Sequence, residues 1–174
     1  FTGASNTVDG ATVLQNTGAL ELGDATTDSI QFTGGLDARG VAGTDSPVTT
    51  SIAGMVQTAG GVLDLNAVTL TAPSTLATTS GGVTAGAAIT TGALTANANE
   101  QLTLDAGTAG DVTVASYAGA GDLTLTNGDT VRFLGAVDAR DVLLTAASTV
   151  ISFEGNTTVG GDLTTTADGY DLSL

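Results

Sequence analysis

Apolar residues in the second half of the chain follow an alternating pattern that recurs at a nearly constant interval. In each instance two positions, almost all apolar, flank a third residue, which is the pattern of a strand that buries one face. The first residues of alternate patterns lie at 102, 123, 142 and 163, and at 112, 131, 151 and 172. A strand pattern that returns about every 20 residues indicates coils that stack on one another. The eight patterns are Leu102/Leu104, Val112/Val114, Leu123/Leu125, Val131/Phe133, Val142/Leu144, Ile151/Phe153, Leu163/Thr165 and Leu172/Leu174.

This periodicity predicts an all-β protein, a right-handed parallel β-helix (β-solenoid) with coils of about 20 residues. We expect a single block over residues 1–174 with roughly eight or nine coils, which makes a rod on the order of 40 Å long at the ~4.8 Å spacing of strands. The alternative is an antiparallel β-sandwich, whose strands also recur about every ten residues. Asn127-Gly128 favours that alternative, because Asn-Gly is a strong hairpin signal.

The coil interpretation also predicts which side chains lie above one another in the core. Residues one coil apart should form inner columns, because side chains on one face of a strand repeat with a period of two. Phe133 should lie directly against Phe153. The expected columns are Leu102, Leu123, Val142 and Leu163 on one face, and Val112, Val131, Ile151 and Leu172 on another.

Internal similarity extends beyond these strands. The segments 18–22 and 28–39 recur as 121–125 and 129–140, and Phe-x-Gly appears four times. The chain ends on the strand pattern Leu172-Ser173-Leu174 and begins with Phe-Thr-Gly, which would close such a strand. We therefore expect Phe1, Leu172 and Leu174 at an axial interface, with the chain as one repeat unit of a longer polypeptide or filament.

The least periodic stretch is Thr78–Asn99, which is rich in Gly, Ala and Thr. It could be a flexible linker. Apolar residues continue through this stretch, however, at Val83, Ile89 and Leu94. We therefore expect weak coils there instead.

Charge narrows the possible partners. Eighteen acidic residues face three basic ones, for a formal net charge of −15. Nucleic acid is excluded as a partner, since binding to it depends on Lys and Arg that neutralise phosphates.

No apolar run approaches the roughly 18 residues of a membrane helix, so membrane insertion is not expected. The chain has no Cys, which argues against a small disulfide-stapled domain.

The titratable residues do not suggest an enzyme. The chain has no Lys and no His, and its arginines Arg39, Arg132 and Arg140 each have an acid nearby in sequence. Polysaccharide cleavage on β-helices needs a base, a charge neutraliser or a close carboxylate pair. We expect Asp37 with Arg39, and Asp138 with Arg140, to form exposed ion pairs within their strands. The two tyrosines, Tyr117 and Tyr170, are candidates for exposed rings that contact sugars.

We expect no cofactor, and bound calcium is the alternative. Hard cations need several oxygen atoms from one loop, and neither the calcium nonapeptide of β-helices nor the EF-hand pattern occurs. Asn and Asp are also ordinary turn residues. The candidate ligands are Asp24, Asp28, Asn127, Asp129, Asp168 and Asp171.

Three motifs carry a family resemblance. They are Gly-x-Leu-x-Leu-x-Asn-Gly-Asp-Thr-Val-x-Phe-x-Gly at 121–135, Thr-Ala-Ala-Ser-Thr-Val at 145–150, and Gly-Gly-Asp-Leu-Thr-Thr-Thr-Ala-Asp at 160–168. Together they resemble the repeat regions of giant bacterial surface proteins, the filamentous-haemagglutinin-like and autotransporter-like adhesins. The resemblance implies a right-handed parallel β-helix, export to the bacterial cell surface, and a role as a stalk or fibre in adhesion, biofilm or an envelope layer.

The functional expectation is a structural, non-enzymatic, extracellular module that stacks head-to-tail with copies of itself or with adjacent repeats. The alternative is a β-helix that binds carbohydrate or processes polysaccharide, with surface glycans as partners. That alternative needs acids and rings in register on one exposed face, and the sequence shows no such cluster.

Overall fold

The computed structural model describes residues 1–39, 47, 49–166 and 169–174. This part of the chain is built almost entirely of short β-strands, and its one helical element is a 3-10 turn at Ser80–Gly82. No helix among the described residues has the length and hydropathy needed to cross a membrane. The strands are β1 (Ser5–Val8), β2 (Thr12–Val13), β3 (Ala19–Leu22), β4 (Ser29–Phe32), β5 (Leu36–Ala38), β6 (Thr49–Thr58), β7 (Leu63–Leu65), β8 (Val68–Ala77), β9 (Ile89–Ala96), β10 (Gln101–Asp105), β11 (Val112–Gly119), β12 (Asp122–Asn127), β13 (Thr130–Phe133), β14 (Val137–Ala139), β15 (Val142–Leu144), β16 (Val150–Phe153), β17 (Thr157–Val159), β18 (Leu163–Thr165) and β19 (Asp171–Ser173).

The strands form three parallel faces around one core. Face A contains β1, β4, the end of β6, the end of β8, β10, β12, β15 and β18. Face B contains β2, β5, β7, the start of β9, the start of β11, β13, β16 and β19. Face C contains β3, the start of β6, the start of β8, the end of β9, the end of β11, β14 and β17.

The parallel β-solenoid is confirmed: about 7 turns of chain stack on one another. Asn127-Gly128 does not form a hairpin. Leu123 pairs in parallel with Leu102 and Val142, while Val131 pairs with other strands on face B. The antiparallel sandwich is therefore wrong. Gly128 instead occupies a buried corner, where an added Cβ would meet the side chain of Val131 at 2.8 Å.

The number of turns is smaller than the eight or nine expected, because the coils are not of equal length. Along one inner column of face A the partners are Ile30, Val56, Leu76, Leu104 and Leu125. The interval between Val56 and Leu76 is 20 residues, whereas that between Leu76 and Leu104 is 28. The longer coils contain extra residues in their corners, so the same number of residues forms fewer coils.

The core is a set of apolar columns that run along the solenoid. Leu102, Leu123 and Val142 are buried one above the other on face A, and Val112, Val131 and Ile151 are buried likewise on face B. Leu163 and Leu172 continue these two columns by one further coil. Mutual burial of successive coils is thus the main source of stability, since each coil covers the inner face of the next.

The stretch around Thr78 is an excursion from an otherwise regular coil. The buried Thr78 hydroxyl donates to Ala87 O and accepts from Ala87 N, both at 2.9 Å. These two bonds close the base of the loop that contains the 3-10 turn. After Ala87 the chain returns to the solenoid in β9, which pairs in parallel with β7 and β11.

Candidate functional site at the axial ends

The C-terminal end of the solenoid exposes side chains whose column neighbours in the preceding coils are buried. Leu163 and Leu172 are each 38% exposed, whereas their column neighbours Val142 and Ile151 are 1% and 0% exposed. Leu174 is 72% exposed. The outer edges of β17, β18 and β19 have no further strand beside them among the described residues. This end therefore presents both apolar side chains and the hydrogen-bonding edges of strands.

A groove opens in this end of the rod, with a volume of about 590 Å³. Its apolar lining comes from Val159, Leu163 and Leu174, and its rim from the backbone around Gly155 and Gly161. The groove lies where the inner face of β17 would be covered by another coil.

The N-terminal end has a different cover. Phe1 is 43% exposed and packs edge-on against the buried ring of Phe32, with centroids 5.6 Å apart. Its amino group donates to Glu21 O at 3.0 Å, and Gly23 N donates to Phe1 O at 2.7 Å. Phe1 thus extends face C by one position beyond β3. The partly buried side chains of Val8 and Leu14 pack on the core at this end.

Three of the candidate metal ligands form hydrogen bonds within turns or between strands. Oδ2 of Asp28 accepts N–H bonds from Asp24 at 2.9 Å and Ala25 at 3.1 Å. These bonds, first that from Asp24, lower the pKa of the Asp28 carboxyl below its usual range. A second hydrogen bond, between the two side chains, is the main cause that raises the pKa of the Asp24 carboxyl. Asp129 accepts from the Thr149 hydroxyl at 2.6 Å, across one coil. Few carboxylate oxygens of these three residues are therefore left to bind a metal ion.

The other candidates do not complete a ligand set. Asn127 pairs with Asp105 at the end of a strand, and its carbonyl accepts from Ala106 N. Asp171 is exposed in β19, and Asp168 lies outside the described residues. Among residues 1–39, 47, 49–166 and 169–174, no three His, Cys, Asp or Glu side chains lie together as a metal site would require.

The arginines bridge coils instead of pairing within their own strands. Arg39 Nη1 lies 3.2 Å from Asp64, one coil away, while Asp37 accepts only the backbone N–H of Arg39. Arg140 pairs with Asp122 and Asp141, so the expected pair with Asp138 is wrong.

Arg132 pairs with Glu154 at 2.7 Å, again one coil on. Every arginine thus ties two neighbouring coils together at the surface. Such exposed pairs contribute little individually, and none of them resembles a catalytic arrangement.

The tyrosines were expected to be exposed, and for Tyr117 that expectation is wrong. Tyr117 lies in the core of face C, where its hydroxyl donates to Asp122 O at 3.1 Å. Burial raises the pKa of its phenol. Tyr170 is partly buried and donates to Leu144 O at 3.3 Å. The Tyr117 ring is therefore not free to stack on a sugar.

A second, smaller groove of about 240 Å³ lies at the corner between faces C and A. It is lined by Pro73, Gln101 and the charged groups of Glu100, Asp122 and Arg140. Glu100 accepts from Asn97, and Arg140 is held by Asp122, Asp141 and Ala98 O. Oδ2 of Asp122 and the Asp141 carboxylate hold Arg140 in place, whereas Oδ1 of Asp122 is buried without a hydrogen-bond partner.

The chain matches no family model, no curated protein and no solved structure.

Proposed function

We propose that this protein is a structural, non-enzymatic module of a bacterial surface fibre, adhesin or envelope layer, and that it stacks head-to-tail through the two ends of its solenoid. The observation that carries the proposal is the pair of uncovered ends. Leu163, Leu172 and Leu174 project at one end, and the partly buried Val8 and Leu14 lie at the other. An uncapped coil favours the addition of another coil, since both its side chains and its strand edges lack partners.

The sides of the rod support the same role. They carry most of the excess negative charge, which disfavours lateral association of a β-rich protein. Association through the ends leaves those charges in water. The extracellular setting rests on the resemblance of the 121–135, 145–150 and 160–168 motifs to surface adhesins. We propose no cofactor, and calcium remains the alternative to be tested by adding it.

The test compares two double variants that add the same charge. Leu172→Asp with Leu174→Asp alters the end, and Leu134→Asp with Leu143→Asp alters the sides, where those residues are 41% and 38% exposed. We expect the end variant to raise the concentration needed for assembly by on the order of 100-fold, since burial of one Leu contributes about 1.5–3 kcal/mol. The side variant should assemble like the parent.

Light scattering and electron microscopy report assembly, and circular dichroism checks that both variants keep their strands. If the parent chain is monomeric at every concentration, or if the end variant assembles as readily as the side variant, the proposal is wrong. Binding of the monomer to a glycan array would then favour the carbohydrate-binding alternative.

A further inference from the structure

We propose that stacking occurs in one defined register, in which Phe1 of a second copy enters the end groove and lies over Val159. In this register β1 of the second copy adds to β18, and β2 adds to β19. The inference rests on the proposed function and deepens it, because it names the partner as a second copy of this chain and gives the alignment of every strand.

The position of Phe1 in its own solenoid is the first step. Its amino group and carbonyl bond to Glu21 and Gly23, the neighbours of Leu22, so Phe1 is the parallel partner of Leu22. Leu22 belongs to an inner column of face C, where it pairs with Ile52. Phe1 is therefore the first member of that column.

The last described member of the same column is Val159, which pairs with Ala139. Val159 also lines the end groove. The backbone bonding repeats along the column: Gly23 N donates to Phe1 O at 2.7 Å, and Gly160 N donates to Ala139 O at 2.9 Å. The next acceptor in this series is Val159 O. The matching donor is the N–H of Thr2 in the second copy.

Faces A and B extend in the same alignment. Thr164 is the last outward residue of a face A row that begins at Ser5. Ser173 ends the corresponding row on face B, which begins at Val13. Adding a copy places Ser5 beside Thr164 and Val13 beside Ser173. The inner side chain of Leu174 then meets Leu14, so apolar residues face each other in the core.

The residue spacing between faces B and C shows where a coil beyond Leu174 would begin. In the two preceding coils the face C column follows the face B column by six residues, from Phe133 to Ala139 and from Phe153 to Val159. Leu174 is the next position after Phe153 in its column. By the same spacing, the residue over Val159 would lie six positions beyond Leu174, so Phe1 joined directly to Leu174 would fall short of that column, whereas Phe1 of a second copy can occupy it.

Disulfide trapping tests the register, because the chain has no cysteine of its own. The in-register variants are Ser5→Cys with Thr164→Cys on face A, and Val13→Cys with Ser173→Cys on face B. All four positions are exposed. Within one chain the two cysteines of a pair lie about 30 Å apart along the rod. A disulfide needs Cα atoms within about 7 Å, so any bridge must join two copies.

The crossed pairs, Ser5→Cys with Ser173→Cys and Val13→Cys with Thr164→Cys, are matched controls that place the same cysteines on different faces. After mild oxidation we expect both in-register variants to give a ladder of multiples of the 16.8 kDa chain on a non-reducing gel. The crossed variants should lose the ladder and give at most dimers from random collision.

The outcomes separate this inference from the proposed function. If light scattering shows assembly but the crossed pairs ladder as well as the in-register pairs, or the in-register pairs do not ladder, the register is wrong and head-to-tail stacking stands. If the chain does not assemble, both proposals fall. Circular dichroism of each reduced variant confirms that the exposed substitutions leave the solenoid folded.

Discussion

The ring of Phe133 lies face to face with that of Phe153, one coil away, with centroids 4.8 Å apart and planes 7° from parallel. The two rings are column neighbours in β13 and β16. This contact joins two coils within the core, where the alternating pattern of the sequence placed both residues. It gives the most direct measure of how strongly neighbouring coils are coupled.

We expect Phe133→Leu and Phe153→Leu each to lower the free energy of unfolding by about 1 kcal/mol. The double variant should lose less than the sum by about 0.5–1.5 kcal/mol, because an aromatic pair contributes that much beyond burial. Chemical denaturation measures all four species. Phe32→Leu combined with Phe133→Leu is the control, since Phe32 lies several coils away and the two effects should add. An additive result for Phe133 with Phe153 would contradict a specific ring contact.

Two buried threonines should respond in opposite directions to the same substitution. The Thr50 hydroxyl is buried without a hydrogen-bond partner between Leu20 and Val68. Thr50→Val should raise the free energy of unfolding by about 1–2 kcal/mol, because valine keeps the shape and removes an unsatisfied group. Thr78→Val should lower it by about 1–3 kcal/mol, since Ala87 N and O lose their partner. Equal effects at the two positions would refute this account of the core.

Two glycines with similar backbone angles separate conformational strain from coil packing. Gly54 has φ +77 and Gly10 has φ +87. An added Cβ at Gly54 would collide with the carbonyls of Asp28 and Ala25, whereas one at Gly10 would meet no atom within 4 Å. Gly10→Ala should lower the free energy of unfolding by about 1–2 kcal/mol through its φ alone. Gly54→Ala should be worse, because the carbonyls of the adjacent coil must shift. Thermal unfolding of both variants checks the difference, and similar midpoints would show that coil spacing adapts easily.

Asp28 should give the protein a stability component that depends on pH. The N–H bonds that it accepts lower its pKa in the folded state, whereas its unfolded value is about 3.9. Its contribution is therefore present above about pH 4 and is lost as pH falls through the lower folded value. The raised pKa of Asp24 has the opposite effect on the pH dependence of stability. The proteins with and without Asp28→Asn should therefore both carry Asp24→Asn. Asp28→Asn in that background should flatten the fall of the melting midpoint between about pH 4 and pH 2. A parallel fall in both proteins would contradict the assignment.

The alternation of apolar and other positions was sufficient to predict the second half of the fold. Leu102, Leu123 and Val142 are column partners because each occupies the same phase of a coil of 19 to 21 residues. Parallel pairing followed from the persistence of that phase on both sides of Asn127-Gly128. A hairpin signal of two residues was outweighed by a pattern that recurs over the whole segment.

The rest of the structure depends on corners, which a linear pattern does not reveal. β11 turns a corner within one strand, so Tyr117 faces the core although the preceding alternation gives no sign of it. The partners of the arginines lie about one coil away, so they become identifiable only when the length of each coil is known. The end groove has the same origin, since it depends on where face C stops relative to faces A and B.

The excursion closed by Thr78 has a practical consequence for engineering. Gly81 and Gly82 at its tip are exposed, and an added Cβ at either would meet no atom within 4 Å. Below the tip, Ala59 and Thr79 form a bridge, and the Thr78 hydroxyl holds the base. A foreign peptide inserted between the two glycines would be anchored by contacts already present and would project from one fixed height on the rod. In a stacked filament such cargo would be displayed once per subunit, at an interval set by the length of the solenoid.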